Sequence, residues 1–298
     1  MVEFILSESK YKNYSPFDPG KVQLKLGVQP LALPEWIEID QNFASQLAEK
    51  EKLLRDRPSQ VLVSLAGSEV AQSETLELLL SHLQTYFEPI YQWDANQITN
   101  RLTGQVWQRQ DYLPLDLAGR LVQEDWVLLR STPNGYQLAA GSVCFPLRWD
   151  LREKLGKPLS QIHAPVPGYE TIAPPVDHLF DRLKPEYPIW RMNWTIVATA
   201  NLFLPPDQEP ETTEITCANA GETLWLRMER QTLRRLPQTG YVLFGIHTHV
   251  YPLHILAAHP QLVEQLVATI AQMPEPMLVY KNIHTLREPL LSYLHQFK

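Results

Sequence analysis

The order of strand-like and helix-like segments constrains the fold of this 298-residue chain more than any other feature. Two strand-like segments come first, separated by a turn that contains Asn134-Gly135, a dipeptide typical of hairpins. Helical patterns follow, and three more strand-like segments come after them. The five segments cover residues 125–130, 136–145, 190–198, 224–231 and 241–248. This order predicts an α+β fold in which one antiparallel sheet carries helices on a single face.

Helical periodicity flanks and interrupts the strand-rich region. Apolar residues recur three and four positions apart in residues 36–57, 73–86, 114–122, 175–183, 260–272 and 281–296. We therefore expect an N-terminal arm and helical region over residues 1–122, packed on a core with C-terminal helices over residues 123–298. The two regions are expected to form one compact unit.

Composition argues against several classes of protein. The formal net charge is -7 and no basic run stands out, which argues against nucleic-acid binding. No apolar stretch reaches 18 residues, so no membrane span is predicted. The N-terminus lacks the apolar core and small-residue cleavage site of a secretion signal, and the expected location is the cytoplasm. Cys144 and Cys217 are expected to be free thiols.

A single histidine lies in a strongly restrained loop. His163 is followed by A-P-V-P-G-Y at residues 164–169, where two prolines and a glycine restrict the backbone. An imidazole held in this way can bind a metal through one ring nitrogen. The structural alternative is a histidine that hydrogen-bonds loop carbonyls to hold the turn. The residues by themselves leave both readings open.

Two further histidines, His247 and His249, are separated by one residue in a predicted strand. Residues i and i+2 of a strand face the same side, so both side chains could reach one metal. No aspartate or glutamate close by in the sequence completes a site of two histidines and one carboxylate.

Glu229 and Arg230 are adjacent in another predicted strand, so only one of them can face an apolar pocket. A buried carboxylate needs a cationic partner or hydrogen bonds, and an inward Glu229 therefore suits an ammonium substrate. A structural ion pair of Glu229 with Arg191 or Arg227 is the alternative.

Three blocks of sequence resemble a known family. They are I-H-A-P-V-P-G-Y at residues 162–169, R-M-N-W at residues 191–194 and E-R-Q-T-L-R-R-L-P at residues 229–237. Similarity continues over nearly the whole chain, including residues 26–31, 36–40 and 123–125. On these residues the chain resembles the catalytic (alpha) subunit of the haem-dependent oxidative N-demethylases.

The resemblance implies a PAS-like fold, a non-covalent haem b and oxidation of a small secondary amine such as dimethylamine by dioxygen. Electrons are then expected from a separate reductase that carries flavin and an iron–sulfur centre. We infer His163 to be the axial iron ligand. The further candidate haem-binding residues are Tyr169, Arg191 and Trp194. The candidate catalytic residues are Glu229, Arg230, His247 and His249.

The sequence departs from the family at one place. Members usually have arginine, threonine and tyrosine at the three positions that His247, Thr248 and His249 occupy here. If that arginine or tyrosine serves substrate or oxygen, this chain has an altered substrate or has lost the activity. A haem- or ligand-binding PAS-like sensor without turnover is therefore the alternative function. A thiolate ligand from Cys144 is disfavoured, because the glycine-rich sequence that surrounds such thiolates is missing.

Overall fold

The computed structural model describes Ile5, Tyr11 and residues 14–17, 26–206 and 214–297. Its strands are β1 (Gln29–Pro30), β2 (Leu62–Ser64), β3 (Tyr91–Asp94), β4 (Gln97–Asn100), β5 (Val106–Gln108), β6 (Asp125–Thr132), β7 (Gly135–Ser142), β8 (Ile189–Val197), β9 (Trp225–Arg235) and β10 (Val242–Pro252). Its α-helices are α1 (Phe43–Asp56), α2 (Pro58–Val61), α3 (Glu69–Tyr86), α4 (Pro114–Leu121), α5 (Leu151–Lys154), α6 (Leu159–Ile162), α7 (Tyr169–Arg182), α8 (Ala220–Thr223), α9 (Pro260–Gln272), α10 (Glu275–Tyr280) and α11 (Arg287–Leu294). Most of the predicted N-terminal arm before residue 26 lies outside the described residues.

The described strands form two antiparallel sheets. The large sheet has the order β1-β8-β9-β10-β6-β7-β2, and the small sheet has the order β3-β4-β5. The five strands predicted from the sequence are β6 to β10, and they form the centre of the large sheet. The strands before the helices and those after them meet where β6 pairs with β10. The prediction of a mixed fold built on a large antiparallel sheet is confirmed.

The turn between β6 and β7 forms the predicted hairpin. Thr132 pairs with Gly135, and Pro133 and Asn134 form the loop between them. Gly135 has a φ of +91°, a conformation that residues with side chains rarely adopt. The Thr132 hydroxyl donates to the Gly135 carbonyl at 2.7 Å and accepts from the Asn134 N–H at 3.2 Å. Backbone freedom at one glycine therefore allows the chain to reverse here.

Helices cover both faces of the large sheet, so the prediction of a single covered face is wrong. Along β6, Leu128 packs in a core with α1, α3, α4 and α9, whereas Val127 and Leu129 pack against α5, α6 and α7. We call the side that packs against α1, α3, α4 and α9 the N-terminal face, and the side that packs against α5, α6 and α7 the central-helix face. In β9, Met228 lies on the N-terminal face and Leu233 on the central-helix face. Because both faces are buried, β6 is apolar at the consecutive positions Trp126–Leu129 instead of alternating.

Several helix bounds differ from those predicted. The helix predicted over residues 36–57 begins at Phe43, and the one predicted over residues 175–183 already begins at Tyr169. The helix predicted over residues 281–296 begins only at Arg287, as α11, and Asn282 in the segment that precedes it adopts a φ of +57°. The small sheet was not predicted, because its strands are short and rich in glutamine, asparagine and aspartate.

Candidate functional site

His163 lies directly after α6 in the loop that leads to α7. Its Nδ1 is 3.0 Å from the carbonyl oxygen of Leu159, and its ring stacks on that of Tyr169 with centroids 4.6 Å apart. Donation from Nδ1–H to this carbonyl fixes the tautomer in which Nε2 carries a lone pair. Burial lowers the pKa of His163, which keeps the ring neutral near pH 7. The side chain therefore has its Nδ1 fixed and its Nε2 suited to bind a metal.

Local contacts also fix the loop that follows His163. The N–H of Val166 donates to the His163 carbonyl at 2.8 Å, and the N–H of Tyr169 donates to the Val166 carbonyl at 3.1 Å. Gly168 has a φ of +76° and precedes α7 directly. This glycine lets the chain enter α7 immediately after the two prolines, and so brings Tyr169 onto the His163 ring.

Four polar side chains lie on the central-helix face of the neighbouring strands β8 and β9. Arg191 is paired across the strands with Gln231, and Asn193 with Glu229. All four are half-buried and share the face of Leu233, which packs against α6 and α7. The Nε of Arg191 is buried and has no hydrogen-bond partner among the described residues. The Arg191 charge also contributes to the lowered pKa of His163.

Glu229 is held by neighbours on its own sheet. Gln231 Nε2 donates to its carboxylate at 3.0 Å, and Asn193 Nδ2 donates at 3.5 Å. Arg227 Nε lies 3.8 Å from Glu229 Oε1, so the ion pair considered from the sequence is present, although it is long. The Glu229 side chain remains 15 % exposed. The carboxylate is thus positioned by the sheet but remains accessible in part.

Lys281 is a neighbour of Glu229 that the sequence did not indicate. Its Nζ donates to the Trp194 carbonyl at 2.6 Å and to Asn193 Oδ1 at 3.4 Å. Burial lowers the pKa of Lys281 to about 8, against the opposing effect of the Glu229 charge. The surroundings of Glu229 are therefore rich in positive charge.

The remaining predicted site residues lie on the N-terminal face. Trp194 donates from Nε1 to the Pro16 carbonyl at 3.1 Å, with its ring edge-on to Phe17. Arg230 donates to the Trp36 carbonyl at 3.2 Å. His247 pairs across the strands with Arg230, and His249 with Met228, so both histidines share this face. The sheet therefore separates this group, Trp194, Arg230, His247 and His249, from Glu229 and Arg191.

His247 and His249 form a buried cluster with acidic residues. Their rings are parallel, with centroids 4.2 Å apart. Glu38, Asp40 and Glu124 surround them, with nitrogen–oxygen separations between 3.3 and 3.6 Å. Burial by itself would lower the pKa of His247, but the Asp40 and Glu124 carboxylates that face its two nitrogens raise this pKa to about 9.

The acidic residues of this cluster could not be connected with the histidines from sequence spacing. Glu38 and Asp40 precede the histidines by about 200 residues, and Glu124 precedes them by more than 100. They do lie in the blocks at residues 36–40 and 123–125 that supported the family resemblance. That signal indicated their importance but not their contact with β10.

Cys144 is fully buried two residues after the end of β7, where its N–H donates to Asp125 Oδ1 at 2.9 Å. Burial and the Asp125 charge raise the pKa of the Cys144 thiol well above its usual value. A thiolate is therefore strongly disfavoured at this position, in agreement with the expectation from the sequence.

The fold and these side chains together describe a mixed α-helical and β-sheet protein. It has a neutral histidine, His163, in the loop after α6, and polar side chains on the central-helix face of its sheet. Residues 27–291 match the family model described as haem-dependent oxidative N-demethylase, alpha subunit-like, and the chain belongs to this family. The description implies dependence on haem, and the term alpha subunit implies further subunits. Among the described residues, no helix combines the length and apolar character needed to cross a membrane.

The residues on the central-helix side fit a haem. His163 offers Nε2 as a neutral imidazole donor, because Nδ1 is taken up by the Leu159 carbonyl. The buried Nε of Arg191 without a hydrogen-bond partner among the described residues suits an anionic group such as a haem carboxylate. Phe244 and Ile246 of β10 are half-buried on the same face and provide apolar surface.

Proposed function

We propose that this chain binds haem b between His163 and the central-helix face of the large sheet, and oxidises a small secondary amine of the dimethylamine type with dioxygen. The observation that carries the proposal is the contact between His163 Nδ1 and the Leu159 carbonyl, which leaves Nε2 for iron. Helices α5, α6 and α7 lie between β7 and β8 in the chain. Strand β6, before these helices, pairs with β10, after them, and this single sheet supports a PAS-like fold.

The residues have separate roles in this proposal. His163 holds the iron, and Tyr169 fixes the His163 ring by stacking. Arg191 binds a carboxylate of the cofactor. Glu229 binds the ammonium form of the substrate and orients a methyl group. The bound haem supplies the redox chemistry with dioxygen. Trp194, Arg230, His247 and His249 have no part in it, because they lie on the N-terminal face.

The proposal includes a separate electron donor in the cytoplasm. The sequence contains two cysteines and no C-x-x-C-H motif, so haem is held without covalent attachment. Two cysteines do not suffice for a four-cysteine iron–sulfur cluster, and no dinucleotide fingerprint is present. A reductase with flavin and an iron–sulfur centre is therefore assigned to another polypeptide.

Haem binding is tested by the absorption spectrum. The purified protein supplied with haem is expected to show a Soret band that shifts on reduction with dithionite and on addition of carbon monoxide. His163→Ala is expected to lose most of its haem, whereas His178→Ala, at an exposed position of α7, retains it. A wild-type protein without a Soret band contradicts haem binding. Equal retention by the two variants contradicts the ligand assignment alone.

Amine oxidation is tested by formaldehyde release from a panel of methylated amines with a chemical reductant. Glu229→Gln keeps the shape of the side chain but removes its charge, so the KM for amine is expected to rise about tenfold or more. Haem content should not change. Glu170→Gln, at an exposed position near the start of α7, is the matched control. An unchanged KM in Glu229→Gln rules out the ammonium-binding role.

A second candidate function is haem binding without turnover. It is favoured by the cations near Glu229, since Arg191, Arg227 and Lys281 all oppose the approach of an ammonium ion. A haem-loaded and reducible protein that releases formaldehyde from none of the amines supports this function over catalysis.

A further inference from the structure

The cluster on the N-terminal face has the donor set of a metal site. One possible ligand atom from each of Glu38, His247 and His249 lies within 4.8 Å of the other two. These residues are 8 %, 0 % and 2 % exposed, respectively. Two imidazoles and one carboxylate are a common ligand set for divalent transition metals. Three-dimensional contact thus supplies the carboxylate that sequence spacing did not.

Three of the four ring nitrogens in this cluster have no hydrogen-bond partner within the described structure, while His249 Nδ1 lies 3.5 Å from the Tyr251 hydroxyl. Both nitrogens of His247 and the Nε2 of His249 are buried without a hydrogen-bond partner there. The carboxylate oxygens that face them lie at 3.3–3.6 Å. A hydrogen bond between an imidazole and a carboxylate is expected to be about 2.7–2.9 Å long. The separations exceed that length, so these contacts are weaker than ordinary charge-assisted hydrogen bonds.

The three possible ligand atoms lie within 4.8 Å of one another, and one separation among them matches the edge of a coordination shell. Two ligand atoms bound at about 2.0–2.2 Å to a tetrahedral ion are about 3.3–3.6 Å apart. His249 Nε2 and Glu38 Oε2 are separated by 3.6 Å, and His247 Nε2 and Asp40 Oδ2 by 3.5 Å. The parallel rings require a rotation about their Cβ–Cγ bonds to converge on one ion, and this torsion is soft in histidine.

Surrounding groups orient the carboxylates toward the histidines. Tyr11 Oη donates to Glu38 Oε1, and Arg230 Nε lies 3.3 Å from the same oxygen, while Oε2 faces His249. Asp40 Oδ1 accepts from Gln123 Nε2 at 2.7 Å, while Oδ2 faces both histidines. Outer contacts of this kind commonly position metal ligands.

The charge of the cluster also favours a cation. The carboxylates of Glu38, Asp40 and Glu124 face the Arg230 guanidinium and the two histidines in the described ion pairs. A buried carboxylate is costly unless positive charge lies close to it. A divalent ion held by the two imidazoles would add positive charge next to these carboxylates. The Asp40 side chain is 22 % exposed and provides a route of entry.

We propose that Glu38, His247 and His249 bind one divalent transition-metal ion of the zinc type, with Asp40 as a neighbouring acidic group. The ion would tie the segment before α1 to β10 and is separate from the haem site, since the sheet lies between them. The inference does not depend on the proposed amine oxidation.

The test uses the full chain, stripped with a chelator and titrated with Zn²⁺ or Co²⁺ alone. We expect one equivalent of Co²⁺ to bind, with the visible absorption of a nitrogen- and oxygen-ligated Co²⁺ ion, and Zn²⁺ to displace it. We also expect Zn²⁺ to raise the Tm of the wild-type protein. This last measurement requires no variant and remains informative if a substitution prevents folding.

Variants assign the ligands. Replacement of outer-shell partners typically costs 10- to 100-fold in metal affinity. We therefore expect His249→Ala and Glu38→Gln each to weaken Co²⁺ binding more than about 100-fold. His254→Ala is the matched control, because His254 follows β10 closely but is 49 % exposed in an ion pair with Glu222. It should bind Co²⁺ as the wild type does.

Two results overturn the proposal. One is a stripped wild-type protein that takes up less than a tenth of an equivalent of Co²⁺ and whose Tm does not respond to Zn²⁺. The carboxylates would then be balanced by protonated imidazoles. The other is a loss of binding in His254→Ala that equals the loss in His249→Ala, which would place the ion at the surface.

Discussion

His82 shows how burial of one titratable residue affects the stability of the whole protein. Its ring packs edge-on against Trp36 and lies 4.7 Å from the ring of Tyr86, and its Nε2 is buried with no hydrogen-bond partner among the described residues. Burial, assisted by the Arg234 charge, lowers the pKa of His82 from 6.5 to about 4. The side chain is therefore neutral in the folded protein at pH values where an unfolded chain would take up a proton.

A loss of stability in mild acid follows from this. Between about pH 6.5 and pH 4 the unfolded state binds a proton at His82 that the folded state does not, so stability falls as the pH decreases. We expect the wild type to lose about 2 kcal/mol between pH 7 and pH 5 through this group. His82→Phe keeps the ring packing and removes the titration, so its loss over this interval should be smaller by about that amount.

Urea unfolding at pH 7 and at pH 5 measures the effect. His178→Phe, which changes an exposed histidine, is the control and should lose as much stability as the wild type. The same pH dependence in His82→Phe and in the wild type would show that His82 is not the group responsible.

At the scale of elements, the β6–β7 hairpin depends on one residue. Gly135 has a φ of +91°, and a Cβ added there would lie 3.2 Å from Asp177 Oδ2 of α7. Gly135→Ala is expected to cost about 1–2 kcal/mol, because the left-handed conformation is unfavourable for a residue with a Cβ. Asn134→Ala, at the exposed neighbouring position, should change stability by less than about 0.5 kcal/mol. Thermal or urea unfolding of the two variants compares these costs, and equal costs would contradict the glycine requirement.

At the scale of the whole molecule, residues before and after position 122, where the sequence suggested a boundary, contact each other. Lys50 of α1 is buried, donates to the Val122 carbonyl at 3.1 Å and lies 3.4 Å from Asp125 in β6. Strand β2 pairs with β7, and β1 pairs with β8. One continuous apolar core joins α1, α3 and α4 to the central strands. Strands from both sides of residue 122 thus belong to one sheet.

We therefore expect residues 1–122 and 123–298 to unfold together. Far-ultraviolet circular dichroism and tryptophan fluorescence should give coincident urea transitions, since the eight tryptophans are distributed over both regions. Two separated transitions would indicate independent domains instead.

The sequence by itself determined the features that depend on neighbours along the chain. Segments rich in bulky apolar residues, and the Asn134-Gly135 turn, indicated β6 to β10. The alternation of side chains placed Glu229 and Arg230 on opposite faces and His247 and His249 on the same face. The partners of His163, Leu159 and Tyr169, lie within six residues of it. Such features could be predicted because backbone geometry fixes them locally.

Only the tertiary structure decided which elements cover each face. Strand periodicity places Arg191 and Trp194 on opposite faces of β8, but it does not say which face meets the central helices or which residues of different strands share a face. Lys281, directly after α10, donates to Asn193 beside Glu229, and Glu38 lies 3.6 Å from His249 although more than 200 residues separate them. These contacts arise from long-range packing, because helices bury their apolar sides wherever the folded sheet offers a complementary surface, and no local pattern records that choice.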